Sequence, residues 1–234
     1  MKLSEAPRLS IPARPYEFAL QPGHAAFIII DMQRDFLEPG GFGSALGNDV
    51  SLLRGAIGPI DAMLAACREA GMLVIHTREG HRPDLSDLNA AKHRRGRGSI
   101  RIGDAGPMGR ILVRGAAGHD IIEELAPIAG EPVIDKPGKG AFYATDLETI
   151  LRGRGITQLI LAGVTTEVCV HTTLREGNDR GFECLVLEDG TASYFPEFHH
   201  AALAMACAQD GIFGWVAPVE NLITAMETST GANK

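Results

Sequence analysis

Gln158-Leu-Ile-Leu-Ala-Gly-Val-Thr-Thr-Glu-Val-Cys169 is the stretch that sets the architecture. Its first five residues form a short apolar run closed by Gly163, the pattern of a strand buried on both faces of a parallel sheet. Thr165 and Thr166 then offer capping hydroxyls, Glu167 suits a first helical turn, and residues 168–180 continue as a helix that stops at Gly181. A strand passing through a glycine turn into a helix is the repeating unit of an open α/β sheet. Cys169 falls near the first turn, where the positive end of the helix dipole favours a thiolate and free N–H groups can hold an oxyanion. Taken alone, a free cysteine is as readily a small buried hydrophobe. Its partners decide what it is.

Outward from this unit the same alternation recurs. Strands are expected near 25–30, 72–76, 131–135, 158–162, 182–187 and 212–216, with helices near 50–70, 118–126, 145–153, 168–180, 196–210 and 218–227. This order predicts an α/β fold: a three-layer α/β/α sandwich around a six-stranded, mostly parallel, Rossmann-like doubly wound sheet. Residues 1–20 are proline-rich without periodicity and read as an N-terminal arm, and 21–234 as a single domain. The segment 80–118 is rich in glycine and arginine and shows no element of its own; loops of that length usually serve a site or a subunit contact.

Two other expected strands deliver reactive groups. The run Ala25 to Ile30 leads directly into Asp31, placing a carboxylate at a strand's carboxyl end. Glu131-Pro-Val-Ile-Asp135 is followed by Lys136-Pro-Gly-Lys139-Gly, in which Lys139 stands between glycines on a loop. Singly, Asp31 reads as a strand-end cap and Lys139 as a solvated charge. Ligands in open parallel sheets bind outside the carboxyl ends of the strands, however, so a carboxylate, an amine and a thiol at three such ends suggest one reactive site.

Composition narrows the class. The chain has 234 residues, 45% of them hydrophobic, enough for a sizeable core. Four cysteines without Cys-x-x-Cys spacing indicate neither a zinc ribbon nor a disulfide framework, and reduced thiols point to the cytoplasm. The polar amino-terminal residues do not read as a signal peptide, and no apolar stretch approaches the roughly 20 residues of a membrane span. A formal charge of −7 argues against nucleic acid, although the run Lys92 to Arg101 is locally basic and is read as a loop or subunit contact.

The motifs Ile30-Asp31-Met-Gln-Arg-Asp-Phe36, Lys136-Pro-Gly-Lys139-Gly and Gly163-Val-Thr-Thr-Glu-Val-Cys169 together resemble those of the isochorismatase-like cysteine hydrolases. By this resemblance Asp31, Lys139 and Cys169 form a catalytic triad. The Val164-Thr165 peptide is implied to be cis, with the N–H groups of Thr165 and Cys169 as the oxyanion hole. Within the family, Thr77-Arg-Glu-Gly-His-Arg-Pro-Asp84, Gly103-Asp-Ala-Gly-Pro107, Gly109-Arg-Ile-Leu-Val-Arg-Gly115 and Asp179-Arg-Gly-Phe-Glu-Cys184 are most similar to the biuret hydrolases, in a likeness running from about residue 21 to 214. It implies Phe36 and Gln209 as substrate contacts. Arg78 and Glu79 could complete a polar pocket for a planar urea-like group.

The activity so implied is hydrolysis of biuret to allophanate and ammonia through a thioester-type acyl-enzyme, by a homotetramer without cofactor. Amidases of the same family acting on ureidoacrylate, an N-carbamoyl acid or nicotinamide are alternatives, as is a catalytically silent scaffold or thiol sensor. Glu79 and His81 correspond to part of the metal site of nicotinamidases, but further ligands are hard to place, and no metal is expected.

Overall fold

Six consecutive apolar residues make Ala25–Ile30 a strand with no face for water, and it occupies the interior of the sheet. The computed structural model describes residues 8–95 and 100–231. Apart from a minimal hairpin pairing Ala105–Gly106 with Gly109–Arg110, the strands in chain order are β1 (Leu9–Ile11), β2 (Phe18–Leu20), β3 (Ala25–Ile30), β4 (Leu73–Glu79), β5 (Val133–Lys136), β6 (Gln158–Val164), β7 (Glu183–Ala192) and β8 (Trp215–Ala217). The last six form one sheet in the order β8-β7-β6-β3-β4-β5, and every pairing is parallel. The sheet is thus wholly rather than mostly parallel.

The helices that cover it are α1 (Ile57–Glu69), α2 (Leu147–Gly153), α3 (His171–Asp179), α4 (Pro196–Ala206) and α5 (Val219–Gly231). Strand alternation divides β3 between two cores. Phe27 and Ile29 pack with Ile60, Leu64 and Leu222 on the α1/α5 side. Ile28 and Ile30 pack with Leu151, Leu174 and Leu203 on the α2/α3/α4 side. The three-layer expectation therefore holds in the placement of the side chains.

Three expectations are revised. The arm 1–20 is not featureless over its described part: β1 and β2 pair antiparallel and bury Leu9, Ile11, Phe18 and Leu20 against the α1/α5 core. Two three-residue strands are too short to show a convincing period of two, which is why proline content dominated the reading. Arg14 exchanges backbone bonds of 2.8 and 3.0 Å with Val216, and Phe18 packs on Trp215, so the hairpin is tied to β8. The helix expected over 118–126 is instead two 3₁₀ turns, Ala117–His119 and Glu123–Leu125, because Ile122 donates to the Met32 carbonyl at 2.9 Å and Ile121 bridges to Gln33. Tertiary pairing there outweighs helix propensity. Within 80–118, Asn89 caps a single helical turn, Ala90–His93, by accepting from the Lys92 N–H at 2.7 Å, and Ile102, Ile111 and Leu112 form a small core of their own.

A partly buried ion cluster ties α1 to the sheet. Glu131 takes both Arg68 bonds, at 2.8 and 2.9 Å, with His76 Nε2 at 3.0 Å and the Ile128 N–H at 3.0 Å. Burial would raise its carboxyl pKa, but these donors outweigh it and hold the group down at about 2. Because the folded pKa is depressed, the stabilisation is present above the unfolded value of about 4.3 and is lost as pH falls toward 2. Glu131→Gln should therefore lower stability by about 2 kcal/mol at pH 7, with the gap to wild type narrowing below pH ~4. Urea unfolding at pH 7 and pH 3 measures both.

Candidate active site

Four adjacent parallel strands each hand one reactive side chain to the same end of the sheet. Cys169 follows β6, Asp31 follows β3, Glu79 ends β4 and Lys136 ends β5. All four are buried. Asp31, Glu79 and Cys169 each place one ligand-type atom so that the three lie within 4.8 Å of one another.

The close approach of β6 to β3 depends on Gly163, which sits opposite Ile30 at φ +112°. A Cβ there would stand 2.0 Å from the Ile30 carbonyl oxygen, so only glycine admits the contact. Beyond it the Val164–Thr165 peptide is cis. The chain then enters a π turn, Thr166–Val170, before α3 begins at His171, so the helix starts differently from the capped α turn expected. Val168 and Val170 both donate to the Thr165 carbonyl, at 3.1 and 3.3 Å, and bracket Cys169. His199 Nδ1 meets the Thr166 hydroxyl at 2.8 Å and braces the turn from α4.

Asp31 adopts φ +53°, an uncommon conformation for a non-glycine residue and one found at functional sites. Its carboxylate accepts from the Thr77 hydroxyl at 2.7 Å and pairs with Lys136 Nζ at 2.7 Å. The Lys136 ammonium also donates to the carbonyls of Gly138 and Lys139, at 3.0 and 2.9 Å. Burial alone would lower its pKa, but Asp31, the Cys169 sulfur and Glu79 outweigh burial and raise it. Lys136 is a fixed cation.

The structure therefore corrects the choice of lysine. Lys139 does not reach Asp31; its Nζ lies 2.8 and 3.0 Å from the two Glu79 oxygens, on a side chain 43% exposed. The strand extends to Lys136, in register with Glu79, whereas Lys139 lies three residues farther along the rim. Flanking glycines drew attention to the loop lysine, and the lysine that ends the strand was missed. Its place at the carboxyl end of a strand, the same position that singled out Asp31, could have found it.

Glu79 is the second carboxylate at the thiol. Cys169 Sγ donates toward its Oε2 at 3.7 Å, and Oε1 accepts from Lys92 Nζ at 2.7 Å. Burial would raise its pKa, but Lys139, Lys136 and Lys92 hold it down at about 2. Gln33 spans the two acidic strands, accepting from the Glu79 N–H at 2.7 Å and donating to the carbonyls of Glu79 and His119. For Cys169, burial is the main influence and raises the thiol well above its usual range; Lys136 lowers it, while Asp31 and Glu79 raise it further. Burial thus works against a standing negative charge on the sulfur.

The remaining candidates separate. Phe36 is half-buried in the turn after Asp31, at the carboxyl end of β3. Arg78 projects to the other side of β4 from Thr77 and Glu79, and its guanidinium is held by Asp135 at 2.8 and 3.1 Å. Gln209 lies exposed at φ +51° in the turn that enters β8 from its amino end, away from the carboxyl ends that carry the thiol. Neither Arg78 nor Gln209 joins the cluster in this chain. Asp31, Glu79 and Cys169 are the described residues whose donor atoms could surround a cation, but Lys136, Lys139 and Lys92 already pair with the two carboxylates, and a divalent ion would have to displace them.

Comparison with known proteins agrees with this geometry. Residues 25–220 match the Isochorismatase domain family. The ureidoacrylate amidohydrolase RutB of Klebsiella variicola (strain At-22) is 34% identical over 233 residues, covering 95% of each chain. A cysteine hydrolase from Pseudomonas syringae pv. phaseolicola 1448A superposes with a TM-score of 0.75 at 27% identity, covering 98% of this chain and all of that one. N-carbamoylsarcosine amidase from Thermoplasma acidophilum shares the fold, with a TM-score of 0.62 at 23% identity over 84% of this chain and 96% of its own. No helix among the described residues is long and apolar enough to cross a membrane. With a family match over most of its length and a thiol set among strand-end carboxylates and a buried lysine, the chain belongs to the isochorismatase family.

Proposed function

We propose that the chain hydrolyses a C–N bond of a small ureido acid of the ureidoacrylate type through an acyl intermediate on Cys169. The observation that carries this reading is the thiol within 4.8 Å of the Asp31 carboxylate, which is itself paired to Lys136 at 2.7 Å. The relative named above as a ureidoacrylate amidohydrolase favours this substrate class over the biuret suggested by local motifs.

In this mechanism Asp31 takes the thiol proton as sulfur attacks the ureido carbonyl. Glu79, held down at about 2 by its bonded lysines, stays ionised as an acceptor. A C–S bond forms, and the negative oxygen is held by the N–H groups of Thr165 and Cys169, each such donor contributing about 3 kcal/mol. Asp31 returns the proton to the departing amine as the C–N bond breaks. Water, losing a proton to the same carboxylate, then cleaves the resulting S-carbamoyl (thiocarbamate) adduct, and that proton returns to the sulfur to restore the thiol. Glu79 accepts N–H groups of the planar urea, and Phe36 lines the pocket wall beside it.

Ammonia release from ureidoacrylate, biuret, N-carbamoylsarcosine and nicotinamide tests the reading. The largest kcat/KM is expected on ureidoacrylate, with an acyl adduct on Cys169 in quenched-flow mass spectrometry. Biuret as the best substrate would restore the alternative within the family. Turnover of none of the four would overturn the proposal.

A further inference from the structure

Lys92 lies in the segment 80–118, where the sequence suggests only a basic loop, yet its side chain is 11% exposed and its ammonium reaches the nucleophile's neighbour. Nζ has three partners: Glu79 Oε1 at 2.7 Å, His81 Nε2 at 2.9 Å and the Pro137 carbonyl at 2.7 Å. An ammonium has three N–H bonds, and all three are used. This assigns the His81 tautomer: Nε2 accepts, so Nδ1 carries the hydrogen and donates to Asp87 Oδ1 at 3.2 Å. Asp87 in turn holds the Arg82 N–H at 3.0 Å and Arg114 at 3.2 Å. The chain of contacts runs unbroken from the loop to the carboxylate facing the thiol.

Glu79 thus carries two lysines of different character. Lys92 is enclosed and saturated; Lys139 is 43% exposed, and Glu79 is its ion-pair partner. A substrate carrying its own acceptor can draw Lys139 away without opening the site. Were Lys139 its only bonded cation, that movement would leave the buried carboxylate with no direct cationic partner and only the unbonded charge of Lys136 nearby, beside a sulfur that must become negative, an expensive arrangement in a low-dielectric pocket.

We propose that Lys92 is a positioning residue, a permanent internal counter-ion that fixes Glu79 beside Cys169 and so frees Lys139 to receive the substrate's anionic oxygen. This rests on the reading of the site as a ureido acid hydrolase and adds a division of labour between the two lysines. Lys92 touches no reacting atom and acts through Glu79.

The test compares Lys92→Met, Glu79→Gln, Lys139→Met and the Lys92→Met/Glu79→Gln double variant. Lys92→Met should lower kcat by about 10- to 100-fold with KM changed by less than about threefold. Lys139→Met should chiefly raise KM for the ureido acid. The double variant removes both enclosed charges and leaves only the 43% exposed Lys139 without its carboxylate, so it should fold even if Lys92→Met does not, and it should match Glu79→Gln alone, because a residue acting through another adds nothing once that other is gone. Iodoacetamide modification of Cys169 at pH 7.5, which needs no substrate, should be slower in Lys92→Met and equal in Glu79→Gln and the double variant. Multiplying effects in the double variant, an unchanged kcat in Lys92→Met, or unchanged or faster alkylation would overturn the role of Lys92. If wild type turns over no ureido compound, the substrate reading fails and the alkylation comparison still decides the positioning.

Discussion

Lys136→Met is expected to reduce kcat/KM by about a thousandfold or more, whereas Lys139→Met should retain most of kcat. The contrast follows from geometry. Lys136 is fully buried, 2.7 Å from Asp31, and is the leading influence that favours the Cys169 thiolate against burial. Methionine keeps the side chain's length and removes the charge, so a carboxylate is left in the sheet without its cation. Breaking a buried pair in this way typically destabilises a protein by about 3–5 kcal/mol. Asp31→Asn combined with Lys136→Met removes both charges and should recover much of that stability while staying inactive. Steady-state kinetics with urea unfolding of the three variants separates lost charge from lost fold. A Lys136→Met enzyme with near wild-type kcat would refute the assignment and return the role to Lys139.

Cys169→Ser should abolish ammonia release to within background, a loss of about 10⁴-fold or more, with little change in stability. Burial, which already disfavours a thiolate here, penalises an alkoxide much more severely, because a serine hydroxyl is a far weaker acid and Asp31 would face a proton it cannot take. The variant should still bind substrate, since Glu79, Lys139 and Phe36 are untouched. Isothermal titration calorimetry on Cys169→Ser would check this. Turnover within about tenfold of wild type would remove the covalent stage from the mechanism.

Much of the fold was legible because its signals are local. The apolar run 25–30, the glycine-bounded run 158–162 and the amphipathic stretches between them each declare an element without reference to the rest, and each of the six sheet strands overlaps an expected run, although β7 continues to Ala192 and β8 begins at Trp215 rather than at 212. The hairpin over 9–20 was hidden because its strands are three residues long and its burial depends on Trp215 and Val216, which are nearly two hundred residues away. Of the site, Asp31 announced itself by ending a strand and Cys169 by lying in the turn where a strand passes into a helix. Lys92 could not: no local pattern distinguishes a buried lysine in an arginine-rich loop from its solvated neighbours.

The chain's residue order alone determined the parallel α/β architecture, the strand-end positions of the carboxylate and the thiol, and membership in a thiol-hydrolase family. Only three-dimensional assembly decided which lysine serves Asp31, that Glu79 is the second carboxylate at the sulfur, and that Arg78 and Gln209 stand apart from it. The physical reason is range. Hydrophobic period and turn chemistry act over a few neighbours along the chain, whereas an ion pair between β3 and β5 depends on register across the sheet, through β4, and on burial that no single segment carries.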